Sequence, residues 1–522
     1  MSAALDPRTA IDADSAARSS NQTEALSQTV GLKDEANAGA NSAGLPISHM
    51  DFGDFSRDML RGFRRLHETH GPIAAIEDGG QRVVFLFSPE YNQQVLSDTE
   101  TFHARFFTVR GPKRSSQRRC TSGLLAMNGE QHQRNRRVVK EPFGLRAIST
   151  YGETIVRMTD EMLDGWQPGD QLDMAEEMRQ YMLRVTSRLL FGLDDSEAAY
   201  RLGDMIARWV TLNQQVGVGA LVPDEQFLNL YEELVDFAED LEAEILGMIR
   251  RRRESKEPTG DVLSILVRSH DEEGGLSDEE LVGQAAVLFG AAHMTTAHSL
   301  TWTMLLLAQH PTAMDALWNE LQSPAEAGSP ALEMANGSLP KGEEISLLDR
   351  VIKESMRLLP ASAYSQRINN QAVRLGPFDL SRGTGIIFTP LVTHHLADLY
   401  PQPEKFIPDR WKTLRPSPYA YHPFGAGPRL CIGAPLATAV IRIALRRILS
   451  RYRLSMVAGA DVGVHVESTM LVPTNGLPME IHPADGFFAA NPIRGKIHEL
   501  VEFDEMPAYA SNQIETTPRQ PR

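Results

Sequence analysis

Cys431 stands in the run His422-Pro-Phe-Gly-Ala-Gly-Pro-Arg-Leu-Cys-Ile-Gly-Ala-Pro-Leu-Ala437, just ahead of an apolar, helix-like stretch from Leu436 to Leu449. A thiolate at this place is helped by free backbone N–H groups and by the positive end of the helix dipole. Glycines at 425, 427 and 433 let the backbone bend and approach a flat, bulky partner. Pro435 suits the first helical turn, where its missing N–H costs little. One thiolate cannot build a zinc or iron–sulfur site, which needs several protein ligands. It can serve as the single protein ligand of a heme, or it can be a buried structural cysteine in a turn.

The spacing Phe424-x-x-Gly427-x-Arg429-x-Cys431-x-Gly433 resembles the heme-binding loop of the cytochrome P-450 superfamily, of the soluble bacterial-like type. The resemblance covers about residues 46–483. It implies a mainly α fold with small β-sheets, one large domain, and heme b (iron protoporphyrin IX) held between two helices. Cys431 would then ligate the iron.

Further residues fit this expectation. Glu354-Ser-Met-Arg357 lies on a helix-like segment, and the i,i+3 spacing puts both side chains on one face. As a bare pattern this is weak, since Glu176-Glu-Met-Arg179 has it too. Downstream comes Pro403-Glu-Lys-Phe-Ile-Pro-Asp-Arg410-Trp411. The resemblance implies that Arg410 joins Glu354 and Arg357 in a buried triad that fixes the geometry of the cysteine loop, since such networks add little net stability. The segment Gly129-Glu-Gln-His132-Gln-Arg-Asn-Arg136-Arg137 resembles the family helix that reaches the heme propionates. His132 and Arg136 share a face there and can bind carboxylates by charge-assisted hydrogen bonds. Arg367 and Arg429 fall where the family supplies further propionate contacts. Arg134, Arg137 and Lys140 offer either a face for an acidic electron donor or a merely solvated surface.

Phe289-Gly-Ala-Ala-His-Met-Thr-Thr-Ala297 resembles the family's oxygen-binding helix. That likeness assigns Thr295, with Thr296 beside it, to the catalytic hydroxyl position, and small Ala291 and Ala292 leave room over the heme. The usual acid is replaced by Met294, whose thioether has no proton to give. His293 is adjacent but points about 100° away on a helix. Three readings follow: a relay through water and Thr295 alone, an acid brought by the substrate, or chemistry that bypasses the reductive oxygen cycle.

The leading expectation is a heme-thiolate monooxygenase that inserts one oxygen atom from dioxygen into an apolar small molecule. A peroxide-driven peroxygenase, or an isomerase or dehydratase of oxygenated lipids, is the second, motivated by Met294. A non-catalytic heme-binding protein is the third, and the retained Thr295 argues against it. Pocket residues expected by position are Val287, Ala291, Ala361 to Tyr364, and Leu471. Thr101 to Gly129 contains no acid but has Arg105, Arg110, Lys113, Arg114, Arg118 and Arg119, which suits an anionic substrate or a solvated loop. Gly217 and Gly219 are expected in a loop that could hinge a lid. No Gly-rich dinucleotide fingerprint or flavin segment is present, so electrons are expected from a separate partner, which the resemblance implies is of ferredoxin or flavodoxin type.

The elements that position these residues can be read from pattern. The chain has 522 residues, 52 Lys+Arg against 68 Asp+Glu, a formal charge of -16 and 2 cysteines. An acidic chain is a poor nucleic-acid binder, and two cysteines build no disulfide framework. No apolar run approaches the roughly 20 residues of a membrane span, and the first residues lack a signal pattern. A cytoplasmic protein without a transmembrane anchor is expected. Residues 1–45 read as a disordered tail, 46–483 as the heme domain and 484–522 as a partly disordered extension. Helices are expected from Phe55 to His70, from Gln226 to Arg253, and from the capping box Ser277-x-x-Glu280 to about His310-Pro311. Ile73–Ile76 and Arg82–Phe87 read as a hairpin, and 373–388 and 463–481 as β-prone. Residues 322–345 read as a loop insertion, and Ile493 to Phe503 as a short helix docking on the body.

Overall fold

The computed structural model describes residues 44–104, 109–192, 196–219, 225–254, 260–271, 276–322 and 345–503. The expected insertion within 323–344, Arg105, residues 1–43 and Thr516 to Arg522 lie outside the described residues. Among the described residues helices dominate, with one six-stranded sheet and three smaller ones.

The central element is the helix Asp278–Gln309. Its capping box forms as the sequence implies: Ser277 Oγ accepts from Glu280 N at 3.2 Å, and Glu280 Oε2 accepts from Ser277 N at 2.9 Å. Three acids in the first turn also complement the helix dipole. The helix is apolar nearly all round, so it can only be stable inside the protein. It packs on the helix Met174–Phe191, where Phe289 stacks on Phe191 at 5.7 Å. Burying such a ring stabilises by about 1.5–3 kcal/mol. Helices Ser196–Gly219 and Glu225–Glu254 lie over this pair. Among the described residues, no helix is long and apolar enough to cross a membrane.

The large sheet runs in the order Ile47–Ser48, Ile73–Asp78, Gln81–Leu86, Gly385–Phe388, Ser365–Asn369, Phe102–Ala104. Its hairpin is the expected one, with Ile73 opposite Leu86 and Asp78 opposite Gln81. The β-prone stretches become Val373–Leu375, Phe378–Leu380 and Gly385–Phe388, and then Val464–Glu467, Met470–Pro473 and Pro478–Pro483.

Three expectations need correction. The helix expected from Phe55 to His70 is two helices, Phe52–Arg57 and Met59–His70. Asp58 breaks it by leaving helical geometry and accepting from Arg61 N at 3.2 Å as the cap of the second. Gly217 and Gly219 lie in the last turn of Ser196–Gly219 and not in a loop. The segment Ile493 to Phe503 forms a single 3-10 turn, Lys496–Glu499. It docks through buried Ile497, Leu500 and Val501 and through Lys496 Nζ to Asp58 at 3.0 Å.

Candidate functional site: a thiol facing a cationic cradle

Cys431 is set by backbone geometry. Its N–H donates to Phe424 O at 2.9 Å, and Gly425 N donates to His422 O at 3.0 Å. Phe424 itself is half-buried against the core. Gly427 has φ +70, and a Cβ there would sit 2.2 Å from Leu96 O, so no other residue fits without moving the loop. The helix Ala434–Arg451 follows, with Pro435 in its first turn and Gly433 as its N-terminal flank. The Gly433 and Ala434 N–H groups face the sulfur. Cys431 keeps an exposed face, yet enough protein surrounds the sulfur for burial to be the largest influence. Burial raises the thiol above its ordinary value; the two N–H groups and the charge of Arg136 oppose it. The loop alone therefore does not produce the free thiolate that the sequence suggests; a bound metal cation would. Among the described residues no three His, Cys, Asp or Glu converge on a metal position.

Behind the loop lies the expected triad. Glu354 and Arg357, on the helix Leu347–Leu358, are both fully buried and paired twice at 3.0 Å. Arg410 Nε donates to Glu354 Oε1 at 2.8 Å. The carboxylate also accepts from Ile407 N at 3.0 Å and from Trp411 Nε1 at 2.9 Å. Arg357 spends its remaining donors on the carbonyls of His394, Pro403 and Lys405. His394 Nε2 in turn accepts from His422 N at 3.0 Å, which ties the triad to the start of the cysteine run. Trp411 is a member that sequence reasoning missed, although it directly follows Arg410.

Four cationic or potentially cationic side chains gather on the other side. His132 and Arg136 come from the helix Gly129–Val139, Arg429 from the turn Gly427–Arg429, and Arg367 from the strand Ser365–Asn369. Burial, then Arg429, Arg136 and Arg367, push His132 down to about 4. Arg367 is lowered to about 10 by burial and then by Arg429, and Arg429 to about 10 by burial and then by Arg136. Among the described residues, none of these three arginines pairs with a carboxylate. Arg136 donates to Leu430 O, Arg367 Nη1 to Gln366 O at 2.7 Å, and Arg429 Nη2 to Met127 O and to Asn128 Oδ1 at 2.7 Å. Arg429 Nε is buried with no hydrogen-bond partner. Asn128, also missed from sequence, clamps this corner by exchanging bonds with Ala104 at 2.8 and 3.1 Å. Half-buried positive charge without a counter-ion suits an anion. The paired carboxylates of a heme fit this cradle, with Cys431 available to the iron.

Across the helix Asp278–Gln309, Ala291 is exposed and Ala292, Met294 and Thr295 are half-buried. Thr295 Oγ1 bonds back to Ala291 O and Thr296 Oγ1 to Ala292 O, each at 3.0 Å. The local bond anticipated for a helical Thr is thus present, and each hydroxyl oxygen remains free to accept. His293 is buried, with Nδ1 3.3 Å from Phe289 O, on a different side of the helix from Met294.

The expected pocket residues divide. Val287 is buried against Gly123. Ala361 and Leu471 meet through Leu471 N to Ala361 O at 3.1 Å, and Trp302 Nε1 donates to Leu471 O at 3.0 Å. Leu471 is fully buried, so it backs this wall and presents no open face. In the basic loop, Arg119 pairs with Glu242, and Arg118 Nη1 reaches Gly111 O at 3.3 Å. A cleft of about 510 Å³ between the first helices, lined by His49, Arg57, Arg61 and Arg65, contains none of the residues singled out by the sequence.

The family model "Cytochrome P450" matches residues 47–479. The chain is 30% identical over 405 residues to a cyclooctat-9-en-7-ol 5-monooxygenase of Streptomyces melanosporofaciens, covering 76% of this chain and 85% of that protein. It is 28% identical to a cyclooctatin synthase of the same organism, with 76% and 85% covered. Among solved structures, the retinoic acid-bound cyanobacterial CYP120A1 superposes with a TM-score of 0.70 at 23% identity, covering 84% of this chain and all of that one, which speaks for the fold. With its mainly helical fold, the cysteine loop and a family match over most of its length, this chain belongs to the cytochrome P450 family of monooxygenases.

Proposed function

We propose that this oxidoreductase inserts one atom of dioxygen into an apolar small molecule, with heme b bound by Cys431 and electrons supplied by a separate protein. The observation that carries this reading is a lone thiol facing a half-buried cationic cradle that pairs with no carboxylate among the described residues. Heme, when bound through a thiolate, supplies the electron push that favours O–O cleavage. Arg136, Arg367 and Arg429 would neutralise its propionates, and the neutral ring of His132 would donate a hydrogen bond to them, together fixing its orientation. The triad of Glu354, Arg357 and Arg410 holds the loop behind Cys431. Thr295 accepts and passes protons on the opposite side, over the space left by Ala291 and Ala292.

The relative named for cyclooctat-9-en-7-ol supports a largely hydrocarbon substrate. The case for an anionic substrate is weakened by the pairing of Arg119 with Glu242. For the donor, Arg137, Lys140 and exposed Leu430 suit a small acidic protein of ferredoxin or flavodoxin type, while Arg134 is already paired with Glu280. The reduced, carbon monoxide-bound spectrum should show the red-shifted thiolate Soret band, and product should form with reductase plus ferredoxin. Met294 favours one rival, a peroxide-driven enzyme. Turnover with hydrogen peroxide and none with ferredoxin would select it.

A further inference from the structure

The helix that carries Thr295 holds one polar side chain whose chemistry is unspent. His298 lies three residues beyond Thr295 and four beyond Met294, so all three share one side of the helix. That side is the one with accessible surface: Ala291 is exposed and Met294 and Thr295 are half-buried. One further turn on, Trp302 closes it, fully buried and bonded to Leu471 O at 3.0 Å. His298 is only 6% exposed, and its Nδ1 is buried with no hydrogen-bond partner.

The neighbouring hydroxyls all direct their protons back into the helix, leaving only their oxygens to accept. Thr295, Thr296, Ser299, Thr301 and Thr303 donate back to carbonyls four residues earlier, at 2.6 to 3.0 Å. His293 has Nδ1 against Phe289 O and its ring 5.2 Å from that of Phe289. Met294 has no exchangeable proton. A buried ring nitrogen left without a partner is costly, so its retention beside the thioether needs an explanation. Burial also holds His298 down to about 4, with His293 adding to the effect, so the ring is neutral and can both donate and accept.

We propose that His298 is the proton-relaying side chain of this enzyme, passing protons through a bridging water to Thr295 in place of the carboxylate that Met294 lacks. This rests on the monooxygenase reading above. The overall balance is a substrate C–H plus dioxygen, two electrons and two protons, giving C–OH and water. The electrons come from the donor protein and the protons from solvent. In each transfer His298 takes a proton from water at Nε2, the ring nitrogen that is not closed off, and returns it from there toward Thr295. The ring is neutral before and after each transfer, and Nδ1 keeps its proton throughout.

The test uses the full heme-loaded chain with NADPH, ferredoxin reductase and ferredoxin, and follows oxygen consumed against hydrogen peroxide released. His298→Ala should divert several-fold more of the electrons to peroxide, because oxygen that is not protonated in time leaves partly reduced. General acid–base groups contribute roughly 10²–10⁴-fold in rate, so water formation should fall at least about tenfold. His298→Asn, which keeps a polar group of similar size, guards against misfolding and should show the same diversion. The double variant Met294→Glu with His298→Ala should recover most of the loss, which a purely structural histidine would not permit. A second readout is independent of turnover. Histidine 15N spectra of the diamagnetic carbon monoxide form should show the His298 ring, identified by its loss in His298→Ala, exchanging with water.

An unchanged peroxide share in both variants, or a His298 Nε2 that does not exchange with water, overturns the relay while leaving the monooxygenase reading intact. A wild-type chain that consumes no oxygen with ferredoxin overturns both.

Discussion

Cys431 shows how much a single residue depends on its backbone. Its thiol is not acidified by the fold alone, since burial outweighs the Gly433 and Ala434 N–H groups. The Cys431→Ser variant should therefore lose the red-shifted carbon monoxide band, because no other side chain stands ready to supply a thiolate; Cys120 is buried and its thiol is pushed up to about 12 by burial. The glycines of the loop divide by the same reasoning. Gly425 has φ +71 with open space around it, whereas Gly427 has φ +70 and Leu96 O at 2.2 Å from any added Cβ. Gly425→Ala should cost about 1 kcal/mol, the usual left-handed penalty. Gly427→Ala should cost clearly more and lower heme retention, as read by denaturant titration and the Soret absorbance. Equal costs at the two positions would show that the loop can move away from Leu96.

At the scale of elements, the helix Leu347–Leu358 and the run through Trp411 act as one clamp. Glu354 accepts from Arg357, Arg410, Ile407 N and Trp411. Removing the carboxylate leaves Arg357 fully buried without its counter-charge. Glu354→Ala should destabilise by about 3–5 kcal/mol, and heme incorporation should fall with it. Trp411→Phe keeps most of the packing and deletes one donor, at about 1–3 kcal/mol. Chemical denaturation of both variants checks the order. A Trp411→Phe loss equal to that of Glu354→Ala would mean that indole packing, and not the carboxylate, dominates the clamp.

For the whole molecule, the buried histidines couple stability to pH. Burial holds His293 and His298 down to about 4, His395 and His422 to about 3, and His394 well below its ordinary value. The unfolded chain titrates these groups near 6.5. Below that pH the unfolded state binds protons that the folded state refuses, so stability is full above about 6.5 and is lost as pH falls toward 4 and 3. Melting temperature should drop steeply from pH 7 to pH 5. A flat melting temperature over that range would show that these rings are charged in the folded protein or stay solvated.

Much of this site was legible before any fold was known. The Cys431 run, the Glu354–Arg357 spacing, the His132–Arg136 face and the Ser277–Glu280 capping box are short-range patterns, and the backbone places such residues together whatever the rest of the chain does. The substitution at Met294 was visible for the same reason. Long-range choices were not. Arg119 finds Glu242 across 123 residues, and Asn128 meets Arg429 across 301. The break at Asp58 came from a cap competing with helical periodicity. By itself the sequence singled out Cys431, its loop and the thioether at Met294, because identity and local spacing define them. Only the tertiary structure decided which buried charges stay without a counter-ion and that His298 keeps an unpartnered nitrogen beside Met294, because partners and burial are properties of packing between distant segments.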